Sequence, residues 1–193
     1  MSFQIPCAPT CLLLVLAVAC RVTPQDVVVS QDAGITSDSG AVDGGACFVA
    51  ETGRFVLKSA FNAECLGVGP ATTVFGNPAF ETAFGDCSEP TQAWDLSAQA
   101  GANVFSFKNV ISEDSLDVRM AATQSGTPVI LYAATGLANQ QFAVHTRGAS
   151  YVELRPQHAS SSCVGVAGSS AQIAPCAPSD STQTWQLERV DCL

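Results

Sequence analysis

Apolar and polar residues mix in short runs along most of this chain, at 54–58, 104–108, 129–132, 142–145, 151–155 and 184–187, and Gly, Pro, Asn and Ser separate the runs. Such runs between turn formers predict short strands that bury one face. Sustained helical periodicity is absent, so the expected fold class is all-β.

A triplet recurs on top of this pattern. Gln92-Ala93-Trp94, Gln140-Gln141-Phe142 and Gln183-Thr184-Trp185 each close a segment, and each segment carries a second echo in its middle: Cys65-Leu66-Gly67-Val68, Ser115-Leu116-Asp117-Val118 and Cys163-Val164-Gly165-Val166. Recurrence at roughly 45 residues marks one structural unit written three times. In an extended strand the Gln and the aromatic two residues on share a face. Trp94, Phe142 and Trp185 are therefore expected to fill equivalent core places about a pseudo-threefold axis, each beside an amide that needs hydrogen-bond partners.

The N-terminal pattern is different. Residues 12–19 form an unbroken apolar run ending in Ala17-Val18-Ala19-Cys20; a spanning helix needs about 20 apolar residues, whereas an export signal needs fewer. Residues 1–19 are read as a signal peptide. Small residues before Cys20 resemble the lipobox of bacterial lipoproteins, in which that cysteine is lipidated. Ala17 stands where that motif usually has Leu, and no Lys or Arg precedes the run, so ordinary cleavage and a retained leader stay open as alternatives. Residues 20–46 contain no aromatic and are dominated by Asp, Ser, Gly, Ala and Val. Such a segment buries too little apolar surface to offset its ordering entropy and is expected to be a disordered, flexible linker. The run Val27-Val28-Val29 is the exception and suits an edge strand. Residues 47–193 are left as the folded part, with repeats near 47–98, 99–147 and 148–193.

Composition narrows the function classes. With 47% hydrophobic and 13% charged residues in 193, the chain is globular and suits one domain with an appendage. A net charge of −9, with the basic residues scattered, argues against nucleic acid or an anionic membrane surface as partner. Once Cys7 and Cys11 leave with the signal and Cys20 carries lipid, six of the nine cysteines remain. The repeat selects among their pairings: Cys65 with Cys87, Cys163 with Cys176, and by remainder Cys47 with Cys192, each bridge contributing about 2–4 kcal/mol. Zinc is the competing reading, but no CxxC or Cys/His cluster appears, and no metal or cofactor is expected.

Three Q-x-W-like endings, internal L-D-V or C-V-G-V segments and this cysteine spacing resemble the ricin B-type (QxW) lectin family over residues 47–192. The resemblance implies a β-trefoil, a six-stranded barrel capped by three hairpins, with one possible sugar pocket per repeat. A pyranose has an apolar C–H face and a rim of hydroxyls, so its reader needs an aromatic platform, a carboxylate and an amide. At the positions matching the family's sugar contacts the middle repeat carries Asp117, Tyr132 and Asn139, with Gln140 adding a contact or bracing Asp117. Inward Leu116 and Val118 would turn Asp117 outward. The other repeats depart from the pattern: Gly67 and Gly165 replace the carboxylate, Thr91 and Thr182 the amide, and Gly85, with Phe84 adjacent, and Ala174 the aromatic. In the middle repeat Ile130 falls where many members are polar, and Ser115 and Ala134 replace the cysteines.

The implied function is a monomeric, lectin-like module, secreted or displayed on the cell envelope. It would bind glycans or polysaccharides weakly through its middle repeat and touch a membrane only through a lipid anchor. Two alternatives remain. The trefoil could be a protein-interaction or protease-inhibitor module using a protruding loop over 69–86, with Gly76-Asn77-Pro78 at its turn. Asp117 could also pair with Arg119 or cap a turn, leaving Tyr132 a plain strand aromatic and Asn139 a turn former. Catalysis is not expected: His145 and His158 are isolated, no G-x-S-x-G or HExxH occurs, and Glu113 and Asp114 are adjacent, so their side chains diverge.

Overall fold

The computed structural model describes residues 52–190; the signal segment, Cys20, the linker and the expected Cys47–Cys192 bridge lie outside the described residues. The first repeat forms β1 (Gly53–Ser59), β2 (Cys65–Val74), β3 (Asn77–Gly85) and β4 (Ala93–Ala98). The second forms β5 (Val104–Asn109), β6 (Ser115–Val118), β7 (Pro128–Tyr132) and β8 (Phe142–Arg147), and the third β9 (Tyr151–Pro156), β10 (Ser162–Ala167), β11 (Ser170–Pro175) and β12 (Trp185–Arg189). Pairing runs β1 to β4, β4 to β5, β5 to β8, β8 to β9, β9 to β12 and back from β12 to β1, all antiparallel. Six strands thus close a barrel without a free edge. The hairpins β2–β3, β6–β7 and β10–β11 cap it, completing a β-trefoil.

The aromatics of the triplets fill the barrel. Trp94, Phe142 and Trp185 have no exposed surface. Each indole N–H donates to the carbonyl at the middle of its own repeat, Trp94 Nε1 to Leu66 O at 2.7 Å and Trp185 Nε1 to Val164 O at 3.0 Å. Phe142 has no such donor; it meets Phe107 edge to face, centroids 5.9 Å apart.

The glutamines do not extend the strands as expected. Each ends a 3₁₀ turn, Pro90–Gln92, Ala138–Gln140 or Ser181–Gln183, and is buried. The reason is the amide: from the turn it reaches main chain leaving its own hairpin. Gln140 Nε2 donates to Ala133 O and Gln183 Nε2 to Pro175 O, both at 2.9 Å. Their oxygens accept from Thr135 N at 2.7 Å and Ala177 N at 2.8 Å. These two glutamines therefore pin the end of a hairpin to the start of a barrel strand. Disulfides Cys65–Cys87 and Cys163–Cys176 brace the first and third lobes, whereas Ser115 leaves the middle one unbridged.

One hairpin breaks the threefold pattern. β2 and β3 run ten and nine residues, against four and five in β6 and β7 and six each in β10 and β11. The loop expected over 69–86 is therefore mostly regular strand, because Thr72, Thr73 and Val74 favour a pleated conformation despite the flanking Gly and Pro. Its turn falls at Phe75–Gly76, one residue before the expected position, with φ of 51° and 80°. β3 pairs with β7, Phe80 opposite Leu131 and Glu81 opposite Ile130, so the hairpin leans on the middle lobe.

Candidate functional site

The register makes the three lobes comparable residue by residue. Ser115 faces Tyr132, Cys65 faces Gly85 and Cys163 faces Ala174, so Tyr132, Gly85 and Ala174 hold equivalent positions. Phe84, beside Gly85, turns inward and stacks on Trp185 with centroids 6.1 Å apart.

Asp117, Tyr132 and Asn139 line one pocket of about 250 Å³ in the middle lobe, joined at its mouth by Thr135. Asp117 is not turned outward. It is 3% exposed and forms part of the pocket floor, because two amides fold against it. Its Oδ2 accepts from Asn139 Nδ2 at 2.9 Å and from Gln140 Nε2 at 2.8 Å. Asn139 Nδ2 also donates to Val118 O at 3.3 Å, and Gln140 is fully committed within the lobe. Gln140 therefore braces the acid rather than facing a ligand.

What remains is a pair of acceptors. Asp117 Oδ1 and Asn139 Oδ1 have no hydrogen-bond partner among the described residues, yet neither is sealed from solvent. Both N–H groups of Asn139 are used, so this amide accepts only. Two open acceptors suit a ligand that brings two hydroxyl donors.

Burial sets the charge state of the acid. Desolvation pushes the Asp117 carboxyl up to about 6, partly opposed by the hydrogen bonds from Gln140 and Asn139 and by His158. His158 comes from the third repeat, in the 3₁₀ turn Gln157–Ala159; its Nε2 lies 3.2 Å from Ala122 O, and its Nδ1 is buried without a partner. Nothing in the sequence linked His158 to Asp117, since they stand 41 residues apart. Arg119 does not pair with Asp117. It binds Glu81 Oε1 at 3.2 Å and Thr73 O at 2.9 Å, both in the β2–β3 hairpin.

The pocket walls are the part that sequence reading missed. Val74 and Phe75 from the first repeat's hairpin, Met120 and Ala121 after β6, and Ile130 and Leu137 surround the acid with apolar surface. Ile130 is 1% exposed and clusters with Val74 and Ala79, with Tyr132 packed against them. Its place in a packed seam accounts for an apolar residue at that position.

The equivalent places in the other lobes are filled. A Cβ on Gly67 would lie 2.3 Å from both Gln92 Oε1 and Thr91 O, and one on Gly165 would lie 3.1 Å from Gln183 Cγ. Gln92 Oε1 is buried without a partner, whereas Gln140 Oε1 and Gln183 Oε1 accept from main-chain N–H groups. A larger hollow of about 490 Å³ lies between Pro70, Glu81, Phe84 and Ser169. The Thr82 hydroxyl on its wall is already shared between Val129 O and Ala171 N.

Residues 103–191 match the Ricin-type beta-trefoil lectin domain family, and residues 48–132 match the Ricin-type beta-trefoil lectin domain-like family. No curated protein matches the chain. Among solved structures, it superposes on the designed threefold-symmetric protein ThreeFoil with a TM-score of 0.61 and 22% identity, over 71% of this chain and 99% of that one. The Polyporus squamosus lectin, solved with a human-type influenza-binding epitope, gives 0.61 and 15% over 72% and 49%. An exo-beta-1,3-galactanase from Clostridium thermocellum gives 0.62 and 22% over 74% and 31%. This chain thus spans about half of the Polyporus lectin and about a third of the galactanase. At these identities the likeness is one of fold.

Proposed function

We propose that the chain, a β-trefoil that resembles ricin-type lectin domains over residues 48–191, binds carbohydrate through its middle lobe. The observation that carries the reading is the divided carboxylate: Oδ2 of Asp117 is fixed by two amides while Oδ1 stays open beside Asn139 Oδ1. A pyranose would lay its C–H face on Tyr132 and donate two neighbouring hydroxyls to these acceptors. The fixed amides pre-organise the acid, so little ordering entropy remains to be lost on binding. The first and third lobes, which lack acid and ring, do not bind.

A single small pocket implies weak binding of a monosaccharide, about −4 to −6 kcal/mol, or millimolar to high-micromolar affinity. Display of many copies would raise avidity without new contacts. The apolar leader, Cys20 and the polar segment after it support export, with the domain either released or held at the cell envelope by lipid. On this reading the domain is a monomeric binder rather than a catalyst, as its match to the lectin-domain families suggests.

Glycan-array screening followed by calorimetry, with the wild type beside Asp117→Ala, tests the reading. Binding that the substitution abolishes supports it. Binding unchanged by the substitution would move the site elsewhere, and capture of a protein partner with no glycan bound would favour the interaction-module alternative.

A further inference from the structure

Two large apolar side chains at the pocket rim occupy backbone conformations that disfavour them. Phe75 is 81% exposed at the first central position of a two-residue hairpin turn whose residues both have positive φ. That turn ordinarily takes Asn, Asp or Gly. Met120 is 60% exposed with φ of 59°, followed by Ala121 at 52°. Left-handed backbone is rare for residues like these and persists where surrounding structure enforces it, most often at functional sites. Here the enforcement is visible. Arg119, immediately before Met120, grips Glu81 and Thr73 of the hairpin, and Val74 and Ala79 pack on Ile130 beneath.

Exposure and strain in these residues coincide at one place, the mouth of the pocket that holds Asp117. Leu137, 62% exposed, completes the same rim. A plain hexose presents hydroxyls around its whole edge, and an apolar wall would strip water from them without replacing its hydrogen bonds. The pocket instead offers acceptors at one end and hydrocarbon at the other.

We propose that Phe75 and Met120 make this pocket selective for a sugar bearing a methyl-containing group, a 6-deoxy or N-acetyl substituent, beside two free hydroxyls. The proposal rests on the carbohydrate reading above and adds the class of sugar. Two hydroxyls donate to Asp117 Oδ1 and Asn139 Oδ1, the ring lies on Tyr132, and the substituent rests against the apolar wall to which Phe75 and Met120 contribute. Phe75 belongs to the first repeat, so selectivity is a property of two repeats together.

The test compares matched pairs by calorimetry on the whole protein: galactose with 6-deoxygalactose, mannose with 6-deoxymannose, and glucose and galactose with their 2-acetamido counterparts. In at least one pair the substituted sugar should bind about fourfold tighter for each methyl buried. Phe75→Asn introduces an Asn-Gly turn suited to the hairpin, so the fold is kept while the apolar wall is lost. The preference should fall to about one in Phe75→Asn and survive in Phe75→Leu. Equal affinities within every pair, or a preference that persists in Phe75→Asn, would overturn the proposal while leaving carbohydrate binding standing. Failure of every sugar to bind would overturn both.

Discussion

Replacing Asp117 with Asn separates what the carboxylate does for the pocket from what it costs the fold. The side chain is 3% exposed and its ionisation is displaced from 3.8 to about 6. A displacement of that size favours the neutral form in the folded state by about 3 kcal/mol. Because the folded value lies above the unfolded one, this stabilisation is fully present below about pH 3.8 and is lost as pH rises through about 6. The substituted amide carries no charge at any pH; its oxygen can take the two bonds now made by Oδ2, and its NH₂ faces the open side. The stability difference, variant minus wild type, should therefore climb from near zero at low pH to about 3 kcal/mol at neutral pH. For a domain of this size that is roughly 6–12 °C in Tm. Thermal unfolding followed by tryptophan fluorescence at steps between acid and neutral pH gives the difference directly, and other titrating groups cancel in it. Sugar binding at neutral pH should meanwhile be lost. A difference that does not vary with pH, or one that turns against the variant as pH rises, would refute this account of the buried acid.

Other outcomes follow from the same geometry. Sugar affinity should fall about tenfold between one pH unit above and one below the ionisation of Asp117, as the open acceptor is protonated, and calorimetry in matched buffers measures it. Gly67→Asp should fail to create a second site and should destabilise by about 3 kcal/mol or more, since its Cβ meets Thr91 O; Gly165→Asp, with looser neighbours, should cost less, and denaturant unfolding ranks the two. Replacing both cysteines of either bridge by Ser should cost about 3 kcal/mol by chain entropy, with the first lobe's 22-residue separation giving the slightly larger loss, and denaturant midpoints measure both.

Much of the architecture was legible because the barrel is written in a local code. The Q-x-W triplets and mixed apolar runs locate Trp94, Phe142 and Trp185 and their strands, since burial of one strand face needs only nearest-neighbour alternation. The acid, ring and amide of the middle lobe were legible through the resemblance to the ricin B-type family, since the other two repeats lack them, and Asp117, Tyr132 and Asn139 do line one pocket. Orientation was not legible. Alternation turns Asp117 outward, but the 3₁₀ turn at Ala138–Gln140 folds two amides against it, a tertiary contact that no strand periodicity encodes. The walls escaped for the same reason: Phe75 and His158 reach the middle lobe from neighbouring repeats, and a scan repeat by repeat treats each lobe as self-sufficient. Pro70 and Pro78 also disguised a long hairpin as a loop, although both sit within its strands.

The overhanging β2–β3 hairpin limits what exact repetition of one lobe can achieve in this fold. A protein built from three copies of the middle segment would inherit the acid, ring and amide three times, yet each short β6–β7 hairpin would stop before its neighbour's cleft. Such a molecule would carry three open sockets without the shade that Phe75 casts on one. Divergence among the copies is thus the source of the selectivity inferred for this domain, and restoring perfect symmetry would erase it.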